Sequence, residues 1–234
     1  MNQLFYSPDI STTAVLTPDD SKHCVRVLRL GKGDVLTVTN GKGMFYRAII
    51  DTPDPAGCRV TITERFSDRK PFGVHIAVAP TKNAERIEWF VEKATEIGID
   101  EITFLKCKHS ERHNINLSRI EKVAVSAMKQ SLKGTLPRIN QIIDFKKFIS
   151  IPVTSETSRF IAHCRQDDLP MLKNVLSLGD NSASLILIGP EGDFSAEEVE
   201  SALAVGFIAV SLGTSRLRTE TAALVACHTV SITN

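Results

Sequence analysis

The hydrophobic period of this 234-residue chain changes near residue 73, and that change limits what each part can fold into. Beyond it, short apolar runs alternate with stretches whose apolar residues recur at helical spacing. Residues 74–79 (VHIAVA) read as a strand. A helix is expected over 82–97, with Ile87, Phe90, Val91, Ala94 and Ile97 on one face and Gly98 placed to end it. Residues 102–105, 160–164, 185–188 (LILI) and 208–212 read as further strands. Ser118 with Glu121 has the form of a capping box and opens a helix to about residue 133. Ser195 with Glu198 opens another to about Val205, and 220–232 forms the last. Strand alternating with helix implies βαβ units, hence an α/β fold with a mostly parallel sheet.

The front of the chain reads differently. Residues 34–39, 44–50 and 58–64 are rich in β-branched and aromatic residues, and Gly/Pro/Asp-rich turns separate them. Short strands at that spacing suggest a small β-barrel. Residues 68–73 (DRKPFG) make a polar, Pro/Gly-broken boundary, dividing the chain into 1–72 and 73–234. Net charge is only +1, but it is unevenly spread: residues 1–148 carry 23 Lys/Arg against 17 Asp/Glu, and the rest 5 against 10. A basic front with an acidic back still offers a positive face to phosphate. Lys22, His23, Arg26, Arg29 and Lys32 alternate with Val25, Leu28 and Leu30. That stretch is either an amphipathic helix with a solvated basic side or a stripe that tracks a nucleic-acid backbone.

Five scattered cysteines without a CxxC pair exclude a disulfide framework and a structural zinc site, and imply reduced thiols in or near the core. No apolar run is long enough to cross a bilayer, and the N-terminus lacks the pattern of a secretory signal, so the expected location is the cytoplasm.

Two loops hold the chemistry. Residues 185–195 (LILIGPEGDFS) end a buried strand in Gly189-Pro190-Glu191-Gly192 and lead at once into a capped helix. Residues 212–222 (LGTSRLRTETA) do the same, with Arg216 and Arg218 just ahead of the helix and Thr219 and Glu220 in its first turn. In open α/β sheets ligands sit beyond the carboxyl ends of strands, where such loops lie. From pattern alone, a shared ligand pocket and two ordinary strand-to-helix turns both remain open. His109-x-Glu111-x-His113 does not have the spacing of a zinc-protease helix. Neither Gly31-Lys32-Gly33 nor Gly41-Lys42-Gly43 is a P-loop, and no strand is followed by G-x-G-x-x-G or G-x-S-x-G. No metal is expected.

Residues 23–29 (HCVRVLR), 82–98 with Arg86, Glu88, Trp89 and Lys93-Ala94-Thr95-Glu96, the GPEG block and Leu217–Ala222 (LRTETA) resemble, in this order, the ribosomal RNA small subunit methyltransferase E family of the SPOUT superfamily. The resemblance runs nearly end to end. It implies a SPOUT-type parallel sheet with a deep trefoil knot, a PUA-like N-terminal RNA-binding barrel, and a homodimer acting on 16S rRNA of the small ribosomal subunit. The implied reaction is methylation of a uridine at N3 with S-adenosyl-L-methionine as cofactor. The implied cofactor residues are Leu187, Ile188, Gly189, Pro190, Glu191 and Gly192 in the first loop. In the second they are Leu212, Gly213, Leu217, Arg218, Thr219, Glu220, Thr221 and Ala222. Lys22, His23, Arg26 and Arg29 are the expected RNA contacts. Arg218 is the expected catalytic cation, with Glu220 and Arg112 as further catalytic candidates, the latter for the partner subunit's site.

Two blocks depart from the family pattern. Asp193 stands where a second glycine is common, and 127–133 (AMKQSLK) lacks the acid and the Gly-Arg usual there. The competing expectation is a non-catalytic RNA-binding or ribosome-assembly factor that keeps the fold. Intact GPEG and LRTETA blocks speak against it.

Overall fold

The structure, a computed structural model, describes residues 3–68, 73–166, 168–177 and 183–233. Residues 69–72 of the expected boundary lie outside these. The chain divides into two compact units: Met1–Lys70 with Ala124–Leu136, and Pro71–Val123 with Pro137–Asn234.

The first unit is built on a four-stranded sheet in the order β1 (Leu4–Tyr6), β2 (Val35–Thr39), β3 (Met44–Thr52), β4 (Arg59–Ser67). β1 runs parallel to β2, and the other neighbours are antiparallel. Phe5, Leu36, Val38, Ala48, Ile50 and Val60 pack on one side, together with Cys24 and Cys58. Two short helices, α1 (Ile10–Thr13) and α2 (Pro18–Lys22), close over that core. Thr17 caps α2, with Pro18 in its first turn where the missing N–H costs nothing. α2 runs on into one π-helical turn, His23–Val27, and Arg29 at φ 56° ends it. The basic stretch is thus a short helix with an abrupt stop rather than a continuous one.

Residues 124–136 join this unit through hydrogen bonds. Thr39 Oγ1 donates to the Gly134 carbonyl (2.8 Å), Gly43 N to the same carbonyl (3.0 Å), and Leu136 N to the Gly41 carbonyl (2.8 Å). Lys129 is ion-paired with Asp20, whose other carboxylate oxygen accepts from Tyr6 N at 2.6 Å. Lys129, in the block that departs from the family pattern, therefore pairs with an acid inside this unit.

The second unit is a six-stranded, all-parallel sheet. In chain order it contains β5 (Val74–Val78), α3 (Ala84–Ile97), β6 (Glu101–Lys106), the first half of α4 (Leu117–Gln130, which belongs to the first unit from Ala124 on), β7 (Arg138–Asp144) and α5 (Phe145–Ile149). β8 (Thr157–Ala162), α6 (Leu172–Leu176), β9 (Ala183–Ile188), α7 (Ala196–Ala204), β10 (Ile208–Val210) and α8 (Thr219–Thr233) follow. The strand order is β10-β8-β9-β5-β6-β7. β9 lies near the middle, and LILI is buried along its whole length, as a strand covered on both faces must be.

α3 and α8 pack on each other, and α8 lies against β5 and β9. On the unit's other core, Phe145, Phe148, Phe194, Val199 and Phe207 cluster with Leu105, Leu185 and Leu187. The Ser195 capping box is present with both of its bonds. The expected box at Ser118 is not. Asn116 takes that place, its side-chain oxygen accepting from Arg119 N at 3.2 Å and from the Ser118 hydroxyl.

Register fixes where the loops emerge. Val78, Ile188 and Ala162 are paired across β5, β9 and β8, and Val210 is paired with Ala162. The loops that follow these four strands therefore leave the sheet together at its carboxyl edge. Cys24, Cys58, Cys107 and Cys227 are buried and free, and Cys164 is exposed. Among the described residues, no helix is long and apolar enough to cross a membrane.

Candidate cofactor and substrate site

The two glycine-bearing loops meet. Thr219, at the start of α8, donates its hydroxyl proton to the Gly189 carbonyl at 3.1 Å, and both residues are buried. A Cβ on Gly189 would lie 3.1 Å from both the ring and the backbone nitrogen of Phe194, so only glycine fits without displacing the loop. Gly192 faces His109 just as closely. The turn is closed by Asp193 N donating to the Pro190 carbonyl at 2.9 Å.

Asp193 has a structural role that the sequence pattern did not suggest. It sits at φ 61°, a conformation that glycine would take freely and Asp tolerates. One carboxylate oxygen accepts from Cys164 N at 3.0 Å and the other from Phe194 N at 2.8 Å. Its carbonyl meets His109 Nδ1 at 3.0 Å. An acid here ties the first loop to the turn after β8.

A cavity opens between these loops. Ile188, Gly189, Pro190 and Glu191 line one side, and Leu212, Gly213, Leu217, Thr219 and Ala222 the other. Ala162, His163 and Cys164 supply a third wall that sequence reasoning missed, because nothing in FIAHC marks a binding loop. Leu187 lies in the sheet core instead. Glu191 accepts a hydrogen bond from Lys82 N at 3.0 Å, joining this loop to the one after β5.

A second, more open cleft adjoins the same loop. Asn83, Arg86 and Trp89 of the α3 region face Arg216, Arg218, Glu220 and Thr221 across it. Leu217 lines both spaces. Glu220 is 7% exposed although it is an acid. Its Oε1 lies 3.8 Å from Arg86 Nε, and its Oε2 is buried without a hydrogen-bond partner. Arg86 and Trp89 stood out in the sequence as part of the helix block that resembles the family, with no site role assigned; the fold brings them to the expected catalytic loop.

Arg112 lies in neither space. Its guanidinium donates to the carbonyls of Thr81 (3.0 Å) and Lys82 (2.6 Å) and so fastens the turn before α3. Lys22, Arg26 and Arg29 of the first unit are exposed. His23 is half-buried and meets Gln3 at 2.7 Å. Among the described residues, no cluster of His, Cys, Asp and Glu has the arrangement of a metal site.

Backbone-rich loops with Glu191, Asp193 and Arg216 in the lining suit a polar small-molecule ligand, and the neighbouring cationic cleft suits a nucleic-acid substrate. Such a pairing on an α/β sheet, in a chain that also carries a small β-rich unit, is that of an RNA-modifying transferase. Residues 68–231 match the RNA methyltransferase domain family, and residues 16–63 the RNA methyltransferase PUA domain. The chain belongs to the ribosomal RNA small subunit methyltransferase E family. The member of that name from Synechocystis is 30% identical over 225 residues, covering 93% of this chain and 72% of that one. A "probable rRNA-methyltransferase" from Porphyromonas gingivalis is 45% identical, with a TM-score of 0.87 over 96% of this chain and 95% of that one. A protein of Legionella pneumophila, solved "in complex with the bound cofactor SAM", is 25% identical, with a TM-score of 0.84 over 99% and 98% of the two chains.

Proposed function

We propose that this chain transfers a methyl group from S-adenosyl-L-methionine to N3 of a uridine in 16S rRNA of the small ribosomal subunit. The observation that carries this reading is the junction of the two loops at Thr219 and Gly189, with a cavity lined by both loops on one side and a cationic cleft on the other. The Legionella relative supports the choice of cofactor. Ile188 to Gly192 and Leu212 to Ala222 would hold it. When bound, it supplies a methyl group on a sulfonium, ready for displacement without a metal.

The chain's task is then to position the acceptor nitrogen and to favour its deprotonated form. N3 of uracil carries a proton, and its loss leaves negative charge on the flanking carbonyl oxygens. Arg218, with Arg86 beside it, is suited to hold those oxygens and so stabilise the anion. Glu220, with one oxygen near Arg86 and the other unpartnered, is suited to accept the N3 proton or to fix Arg86. Exposed Trp89 at the same cleft offers a face on which a base can stack. Because N3 is hidden in a base pair, the target must be unpaired or flipped outward.

The first unit, with Lys22, His23, Arg26 and Arg29, is proposed to hold the RNA backbone. A homodimer belongs to the same reading. α8 is apolar around most of its circumference, as helices covered on all sides are, yet Ile232 on α8 and Trp89 on the adjoining α3 stay exposed in the single chain. Arg112 belongs to it as a group presented toward the partner's site. The trefoil knot belongs to it too, as what the resemblance to the family implies. The decisive experiment combines calorimetry with S-adenosylmethionine and mapping of N3-methyluridine in rRNA from cells lacking the gene. Cofactor binding and loss of one modified uridine are expected. An unchanged modification map would overturn the assignment.

A further inference from the structure

Among the described residues, two buried polar side-chain atoms take no hydrogen-bond partner: Oε2 of Glu220 and Nε2 of His163. Leaving such an atom unpaired destabilises a folded chain, so each needs a reason. Glu220 belongs to the cleft already described. His163 has no part in that cleft. It is the first residue after β8, is 8% exposed, and stands in the wall of the cavity between the two loops.

One hydrogen bond settles its tautomer. Arg165 N donates to His163 Nδ1 at 3.2 Å. A backbone N–H can only donate, so Nδ1 is the unprotonated nitrogen of the ring. Burial pushes the imidazole pKa down, with Asp193 partly opposing it, and the neutral ring must then carry its proton on Nε2. The unpaired atom is therefore a donor, carried by a residue of the cavity wall and reached by no acceptor among the described residues. Asp193 steadies this arrangement from the first loop by accepting from Cys164 N, the amide next along the backbone.

We infer that His163 is a cofactor-binding residue whose Nε2–H donates to a lone pair on the nucleoside part of the ligand. The inference rests on the proposed binding of S-adenosylmethionine in this cavity. Within that molecule only atoms with an available lone pair qualify, namely the adenine ring nitrogens, the ribose oxygens and the carboxylate. The ammonium and the sulfonium methyl do not. Of the qualifying groups the carboxylate is the charged one, and Arg216 in the cavity lining is the group suited to pair with it, which leaves the uncharged acceptors of the nucleoside to His163. Uncharged nucleoside acceptors fit a donor that is itself neutral.

The test uses the full chain and two variants, His163→Phe and His163→Gln. Calorimetry with S-adenosylmethionine is paired with thermal melting of the ligand-free protein. The phenylalanine variant keeps the ring and loses the donor, so it should bind about tenfold or more weakly. The same variant removes an unpaired buried donor but also the acceptor of Arg165 N, two effects of opposite sign, so its ligand-free melting temperature should change little. Glutamine, which can place an N–H close to the position of Nε2, should recover part of the affinity. A loss of affinity without a matching loss of ligand-free stability is what a donor held for a ligand predicts. Unchanged affinity in the phenylalanine variant overturns the inference while leaving the cofactor assignment intact. Weaker binding that comes with a lower melting temperature and no rescue by glutamine also overturns it, in favour of a purely structural histidine. If the unmodified chain binds no S-adenosylmethionine, the cofactor assignment and this inference fall together.

Discussion

Thr219 Oγ1 lies 3.1 Å from the carbonyl oxygen of Gly189, a contact between the two cofactor loops across 30 residues of chain. Both partners are buried, so neither finds water if the other is lost. Thr219→Val keeps the shape and removes the donor, and should cost about 1–3 kcal/mol of unfolding free energy in urea. Cofactor affinity should fall with it, because the cavity walls are set by this bond. Thr219→Ser should retain most of both properties. A valine variant with native stability and affinity would show that the loops are held by packing alone.

Asp193 supplies two acceptors and a left-handed backbone at once. Asp193→Asn keeps one acceptor and tolerates φ 61°, so its loss should be small. Asp193→Ala loses both bonds and strains the turn by roughly 1–2 kcal/mol more. Asp193→Gly relieves the strain but frees Cys164 N. The expected order of stability in urea unfolding is Asp, Asn, Gly, Ala, and an alanine variant as stable as the asparagine one would contradict the role.

How much of this was legible beforehand depended on range. The helix over 82–97, the buried LILI strand and the Ser195 cap are local patterns, and each appears in the structure where the sequence placed it. β7, α5 and the very short β1 gave no periodic signal above their surroundings and were not anticipated. The two loops could be found, since Gly, Pro and capping residues mark strand ends. Their third wall could not: His163 and Cys164 reach the cavity only because β8 is paired with β9 in a register that no local pattern encodes. The same holds for Arg86, brought beside Glu220 by helix packing. Residues 124–136 continue an ordinary helical pattern, yet they belong to the first unit through long-range bonds at Gly134 and Lys129.

Arg218 and Glu220 share one cleft but not one ion pair, for it is Arg86 that lies 3.8 Å from Glu220. Their contributions should therefore separate. Arg218→Ala should lower the methylation rate about 10²–10³-fold if it stabilises charge on the uracil oxygens, with cofactor binding little changed. Glu220→Gln should lower the rate and shift its pH dependence, while Arg86→Ala should also destabilise the fold by leaving a buried carboxylate without its cation. Single-turnover assays on purified small-subunit rRNA or subunits read the rates. Full activity in Arg218→Ala would remove that residue from the mechanism.

His75 sits at the opposite, amino-terminal end of the sheet and makes stability depend on pH. Its Nε2 meets Thr103 Oγ1 at 2.8 Å, with Phe148 edge-on to the ring and the Glu101–Arg138 pair nearby. Burial pushes its pKa from the ordinary 6.5 down to about 4, Glu101 opposing and Arg138 assisting. The unfolded chain thus takes up the proton first as pH falls. Stability contributed by the neutral ring is complete above pH 6.5 and declines as pH falls from there toward 4. The loss is on the order of 3 kcal/mol at most. Glu101, held below its ordinary 4.5 by Arg138, His75 and Asn140 against the effect of burial, adds a loss of the same sign only below that value. His163, whose pKa burial also lowers, contributes in the same direction below pH 6.5. Urea unfolding at a series of pH values should show this decline, and His75→Gln should flatten most of it between pH 6.5 and 4.5. A variant whose pH profile matches that of the unmodified chain would show that His75 is protonated without cost in the fold.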